Sequence, residues 1–127
     1  MNGLLDSHGL VWWLASDRRL TPRVRALIGD PSSRILVSAV SGWELGIKAA
    51  LGRLKLPFEP RDMLDAVLAE QMEPVPISFE HCIAAAELPP IHNDPFDRLL
   101  IAQARALRVP ILTADPQIAR YDVETIW

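Results

Sequence analysis

The chain has one cysteine in 127 residues, Cys82, which excludes an internal disulfide. Within its alanine-rich helical pattern the thiol reads as a small buried hydrophobe rather than a nucleophile. Long apolar runs are also missing. Segments such as "CIAAA" fall far short of the roughly 20 residues that a membrane-spanning helix needs. The N-terminus carries neither a basic region nor a small-residue cleavage site, so no signal peptide is expected and the cytoplasm is the expected compartment. Internal repeats, low-complexity tracts and credible linkers are absent. The length suits one sizeable core, so residues 1–127 are expected to form a single domain. Positive charge is in short supply as well: a net charge of −3 argues against a generally basic nucleic-acid binder.

What is present is unevenly spread. Residues 1–61 hold nine Lys or Arg against five acids, whereas residues 62–97 hold eight acids and no Lys or Arg. A basic first half can face a polyanion while an acidic segment gathers cations. Each charge taken alone suits a solvated helix face equally well.

The hydrophobic pattern alternates between strand and helix. "GLLDSH" reads as a short strand ending in polar residues, followed by a helix through "GLVWWLAS". Thr21-Pro22 supplies an N-cap and an N1 proline for a helix through "RVRALIG". "RILVS" is a bounded, β-branched run and predicts a buried strand. "AVSGWELGIKAALGRL" has helical spacing, with Val40, Trp43, Ile47, Ala50 and Leu51 sharing one face and Gly52 marking the end. "RDMLDAVLAEQM" is a further amphipathic helix and "EPVPIS" a proline-bounded edge strand. Ser78 caps "FEHCIAAAEL". "DPFDRLLIAQARAL" is a helix, "VPILTAD" a strand ending in an acid, "PQIARY" a short helix and "VETIW" a last strand. Strands alternating with helices predict βα units and a parallel sheet covered on both faces, that is, an α/β fold.

Two carboxylates fall where predicted strands end: Asp6 after "GLL" and Asp115 after "VPILTA". Ligand sites of open α/β sheets lie beyond those ends. Glu44 lies early in the helix after "RILVS", and Asp97 in the first turn of its own helix. Four acids from distant segments are therefore expected to converge on one edge of the sheet. Gathered carboxylates repel one another unless a cation compensates. An all-oxygen set without His or Cys suits Mg²⁺ or Mn²⁺ rather than zinc, and such sites serve phosphoryl chemistry. Each acid also has a plain structural role open to it. Asp6 could cap the following helix, Glu44 could face solvent, and Asp115-Pro116 and Asp94-Pro95 both have the form of an N-cap with proline at N1. Asp97 would then sit at N3, where an acid favours the helix dipole.

The blocks "LLDSHGLVWWLA", "VSAVSGWELGIKAALGRLKL", "HNDPFDRLLIAQA" and "ILTADPQIARY" together resemble the PIN domain and, within it, the VapC toxins of bacterial toxin–antitoxin pairs. They run in family order over nearly the whole chain. The resemblance implies a three-layer α/β/α sandwich with a central, mainly parallel sheet and an acidic, metal-dependent ribonuclease centre. By position it assigns the four acids to Asp6, Glu44, Asp97 and Asp115, with Asp6 and Asp97 as the principal metal ligands. Thr113 matches a hydroxyl position that would hold a carboxylate or water. Ser7 stands where many relatives have threonine and keeps the hydroxyl. The likeness further implies RNA as substrate, products with a 5′-phosphate and a 3′-hydroxyl, and a cognate VapB-like antitoxin in the acidic groove; a homodimer is expected from exposed apolar surface near the first helix.

Other residues divide between site and scaffold. His8 and His92 flank the acidic blocks and are expected to be hydrogen-bonded scaffold, and His81 a helix-surface residue. Arg98 could reach phosphate or pair with an acid beside the site. Trp12 and Trp13 could stack bases, but are expected to split between core and interface. Arg18, Arg19, Arg23 and Arg25 in "DRRLTPRVR" could follow an RNA backbone or form a solvated basic surface. The competing function is a non-catalytic module that holds RNA or a protein on the same surface. A metal-dependent phosphatase is disfavoured because the early Asp-x-Asp pair of a phospho-aspartate mechanism is missing.

Overall fold

The computed structural model of the chain describes residues 1–127. Five strands form one sheet: β1 (Asn2–Leu5), β2 (Arg34–Ser38), β3 (Glu73–Val75), β4 (Ile111–Leu112) and β5 (Thr125–Ile126). Their order is β3-β2-β1-β4-β5, and every neighbouring pair is parallel. Six helices connect them: α1 (Ser7–Leu14), α2 (Pro22–Gly29), α3 (Ala39–Ala50), α4 (Met63–Ala69), α5 (Phe79–Ala86) and α6 (Pro95–Leu107). Short 3₁₀ turns cover Pro60–Asp62 and Ile118–Arg120.

Strand periodicity makes the sheet two-faced. Leu5, Ile35, Val37, Leu112 and Ile126 pack with Leu10, Val24, Met63 and Val67 of α1, α2 and α4. The alternate positions Leu4, Leu36 and Ile111 pack with Leu100, Ile101 and Ala104 of α6 and with Ile118 and Tyr121. The result is the expected α/β/α arrangement. Helix α3 serves both cores, giving Leu45 to one and Val40 to the other, so it lies across the strand ends. The chain leaves β1 for β2 and β3 on one side and returns through α6 to β4 on the other. That reversal beside β1 opens a crevice at the carboxyl ends of the strands, the usual ligand site of such sheets.

Local signals account for most boundaries. The Thr21 hydroxyl caps α2 by accepting from Val24 N, and Ser78 caps α5. Gly52, at φ +72°, follows the end of α3. Two expectations fail and a third is extended. Cys82 is exposed, not buried, because α5 contributes no buried residue and turns Phe79 (80% exposed) and Ile83 outward with it. The buried side of α3 is Val40, Ser41, Glu44 and Leu45, whereas Trp43 and Leu51 from the predicted apolar face are exposed. The reason is the site below α3, which draws a polar side chain inward. His81 is more than a surface residue: its Nδ1 accepts from Ser78 N at 3.0 Å and closes a capping box.

Candidate active site

Asp6 follows β1 directly and caps α1. Its Oδ1 accepts from Gly9 N at 2.7 Å and its Oδ2 from the Thr113 hydroxyl at 2.5 Å. Only 5% of the residue is exposed. Burial pushes its pKa up, the donors from Thr113 and Gly9 oppose the rise, and the Asp115 charge adds to it. Glycine is required at position 9, because a Cβ there would lie 2.6 Å from Leu5 Cδ1 and 2.9 Å from Asp6 Oδ1.

Glu44 reaches the cleft from α3 and is also 5% exposed. The Ser7 hydroxyl donates to its Oε1 at 2.5 Å, and Lys48 Nζ donates to its Oε2 at 2.6 Å. Lys48 escaped the sequence reading. Its signal was available: a Glu followed four residues later by Lys places both on one side of a helix.

Asp94 and Asp97 divide the labour of the "NDPFD" stretch. Asp94 Oδ1 accepts from Phe96 N at 2.9 Å and Asp97 N at 3.1 Å, which makes it the cap of α6. Asp97, one turn in, projects to the cleft and meets His92 Nε2 at 3.0 Å. The direction of that bond follows from its neighbours. The Tyr121 hydroxyl accepts from Arg98 at 3.0 Å and from His92 N at 3.2 Å, so its own proton is left for His92 Nδ1 at 2.7 Å. The ring proton then belongs on Nε2, which donates to Asp97 Oδ2. Burial raises the Asp97 pKa to about 6; His92 opposes the rise, and the charges of Asp94, Asp115 and Glu44 add to it.

Asp115 lies beyond β4. Thr113 Oγ1 accepts from Asp115 N at 3.0 Å, and Asp115 Oδ1 accepts from Gln117 N at 2.9 Å. Thr113 thus ties Asp6 and Asp115 together across β1 and β4.

The four acids line one cleft with Ser7, His8, Val40, Ser41, Phe96 and Leu100. Its free volume is about 10 Å³, close to what a single water requires. No three of the acids stand as a ready-made ligand cage. Instead each is held by protein donors around a water-sized space. The donor set nevertheless fits Mg²⁺ or Mn²⁺. It is all oxygen, Asp97 Oδ1 and Asp115 Oδ2 accept nothing from the protein, and Lys48 is the one cation paired with the quartet. Magnesium binds through one or two carboxylates and keeps several waters, so it does not need a closed cage.

Two assignments sharpen. Arg98 pairs with no acid. Its guanidinium donates to the carbonyls of Ala85, Leu88 and Pro89 and to the Tyr121 hydroxyl, at 2.9–3.1 Å, and so pins the loop that carries His92. Being next to Asp97 on a helix turns it about 100° away from the cleft. His8 is not hydrogen-bonded scaffold but lies exposed at the cleft rim, with its ring 5.8 Å from Trp12. His92 is scaffold, as expected. Trp12 and Trp13 both pack against the first core, and Trp13 Nε1 donates to Glu70. Of the basic run, Arg19 pairs with Asp17 at 2.8 Å and lies 4.7 Å over the Trp12 ring, while Arg18 and Arg23 remain exposed.

Comparison with known proteins bears on this geometry. The PIN domain family model matches residues 3–124. Ribonuclease VapC22 of Mycobacterium tuberculosis is 34% identical over 102 residues, covering 80% of this chain and 77% of that protein. Among solved structures, VapBC2 from Rickettsia felis bound to a promoter DNA fragment aligns with a TM-score of 0.72 at 16% identity, covering 99% of this chain and 98% of that one. VapBC-1 from nontypeable Haemophilus influenzae aligns with a TM-score of 0.65 at 19% identity, covering 99% and 97%. At those identities the structures speak for the fold. No helix of the chain is long and apolar enough to cross a membrane.

Proposed function

This chain belongs to the PIN domain family, and from that premise we propose that it is an endoribonuclease, dependent on Mg²⁺ or Mn²⁺, that serves as the toxin of a type II toxin–antitoxin pair. The observation that carries the reading is the convergence of Asp6, Glu44, Asp97 and Asp115 on one water-sized cleft at the strand ends. The name of the Mycobacterium relative supports RNA as substrate, and the toxin–antitoxin neighbours support a VapB-like partner whose segment covers the cleft. A homodimer belongs to the same proposal; exposed Leu64, Leu68 and Phe79 leave apolar surface for such contacts.

Asp6 and Asp97 would hold the ion, with Glu44 and Asp115 completing its surroundings directly or through water. Bound there, the ion supplies the positive charge that polarises a phosphodiester and acidifies a water for in-line attack. The rest falls to the chain's own side chains. Thr113 and Gly9 N fix the Asp6 carboxylate from both sides. His92, held by Tyr121, fixes one Asp97 oxygen and leaves Oδ1 without a protein donor. Ser7 and Lys48 orient Glu44. Partners of this kind set ligand orientation and are worth about 10–100-fold in metal affinity or activity. Arg18 and Arg23 are free to meet the RNA backbone.

The test is to express wild type and Asp6→Asn and to map the 5′ ends of cleaved cellular RNA. The reading expects new 5′-phosphate ends at defined positions with wild type alone. Equal ends with both proteins reject the site. Purified, antitoxin-free protein that cuts no RNA with Mn²⁺ would return the chain to the class of non-catalytic RNA- or protein-binding modules.

A further inference from the structure

Three buried side-chain polar atoms have no protein partner: Ser33 Oγ, Ser41 Oγ and Gln103 Oε1. Gln103 is anchored through its amide nitrogen, which donates to the Pro76 carbonyl at 3.0 Å. Ser33 borders a separate groove beside Pro31 and Gln71. Ser41 stands apart from both. It is 1% exposed, lies on α3 three residues before Glu44, and lines the acidic cleft.

Ser41 sits in the first turn of α3, where the carbonyl four residues back belongs to Val37 in β2 rather than to the helix, and its hydroxyl finds no partner in the protein. A buried hydroxyl without a partner is destabilising, and alanine would fill this helical position at no such cost and with better propensity. Neighbouring serines spend their oxygens within the protein: Ser38 Oγ accepts from Val40 N at 3.1 Å, and Ser7 donates to Glu44. Ser41 is therefore the one serine lining the cleft whose oxygen is uncommitted. The adjoining space, about 10 Å³, admits a water-sized species beside the hydroxyl.

Resting on the metal-dependent reading above, we propose that Ser41 is a further positioning residue of the cleft, whose hydroxyl hydrogen-bonds a water accompanying the divalent cation. An ion that keeps several waters needs groups to orient them, and carboxylates can only accept. A hydroxyl both accepts and donates. Ser41 therefore offers a neutral, uncommitted hydroxyl that can accept a hydrogen bond from such a water or donate one to it.

The test compares wild type and Ser41→Ala in two measurements: urea unfolding in EDTA, and Mn²⁺ affinity from the electron paramagnetic resonance signal of free Mn²⁺. The proposal expects metal-free stability equal to or above wild type, with Mn²⁺ binding weakened about three- to tenfold, the value of one neutral hydrogen bond. Mn²⁺ affinity within twofold of wild type would overturn it and leave the nuclease reading standing. So would a clear loss of stability in EDTA, which would make the hydroxyl a structural bond. A wild type that binds no Mn²⁺ at all would bring down the nuclease reading and this proposal together.

Discussion

Asp97→Asn should make the metal-free protein more stable at neutral pH while destroying its site. Asp97 has 18% of its side chain exposed, and its pKa is raised from 3.8 to about 6 by burial and by the charges of Asp94, Asp115 and Glu44. A carboxylate whose folded pKa is raised favours folding fully below its unfolded value, and that contribution is lost as pH rises through about 6. At pH 7.5 the fold therefore carries the whole burden of an ionised Asp97. A rise from 3.8 to about 6 corresponds to about 3 kcal/mol at most, and solvent reaching the carboxylate from the cleft screens part of it. Asparagine keeps the shape and can still accept from His92 Nε2, but it has no charge to bury. Urea denaturation in EDTA should show Asp97→Asn more stable by about 1–3 kcal/mol at pH 7.5, with the gain falling below about 1 kcal/mol at pH 4. Saturating Mn²⁺ reverses the ranking, because wild type gains about 4.1 kcal/mol at a thousandfold excess over Kd and the variant does not. A variant that is less stable than wild type in EDTA at pH 7.5 would refute the electrostatic reasoning. A gain that does not depend on pH would refute it equally.

Gly9→Ala puts a methyl group against Leu5 and Asp6 Oδ1, so it should cost about 1–3 kcal/mol and lower cleavage in the folded fraction, read by denaturation and nuclease assay together. Asp94→Ala removes the α6 cap and should cost about 0.5–2 kcal/mol, while Mn²⁺ affinity stays near wild type; behaviour like that of Asp97→Asn would show that cap and ligand are not separate. Arg98→Ala removes the side-chain donor of Leu88 O and one of the donors of Ala85 O, Pro89 O and the Tyr121 hydroxyl. It should raise the hydrogen-exchange rate of residues 85–92 and lower stability by more than about 2 kcal/mol. His92→Ala should weaken Mn²⁺ binding by about 10–100-fold by calorimetry, since it frees the Asp97 carboxylate to rotate.

How far the sequence could be read depended on whether a feature was local. Strand β2 and the caps at Thr21, Ser78 and Asp94 depend on neighbours within a few residues, and their signals survive folding unchanged. Asp6, Asp97 and Asp115 were readable because each sits at a strand or helix end, where the topology itself brings them together, and Glu44 because its helix follows directly from β2. Arg98 could be placed beside the site but not given its partners, because sequence adjacency to Asp97 says nothing of direction: one step along a helix turns a side chain away. Cys82 was misread because periodicity identifies an apolar face but not whether anything packs on it. The Tyr121–His92 contact joins residues 29 apart and has no local signature. Ser41 lay hidden in a helix whose apolar spacing pointed to the opposite side, since Glu44 rather than Trp43 decides which face turns inward.

The most direct test of the central claim is cleavage of single-stranded RNA by purified, antitoxin-free protein, run with Mn²⁺ or with EDTA, for wild type and Asp6→Asn. Asp6 is the most enclosed of the proposed ligands, bonded to both Gly9 N and Thr113. The account predicts cleavage by wild type with Mn²⁺ and none in the other three reactions. Cleavage by wild type in EDTA, or by Asp6→Asn with Mn²⁺ at the wild-type rate, would contradict it.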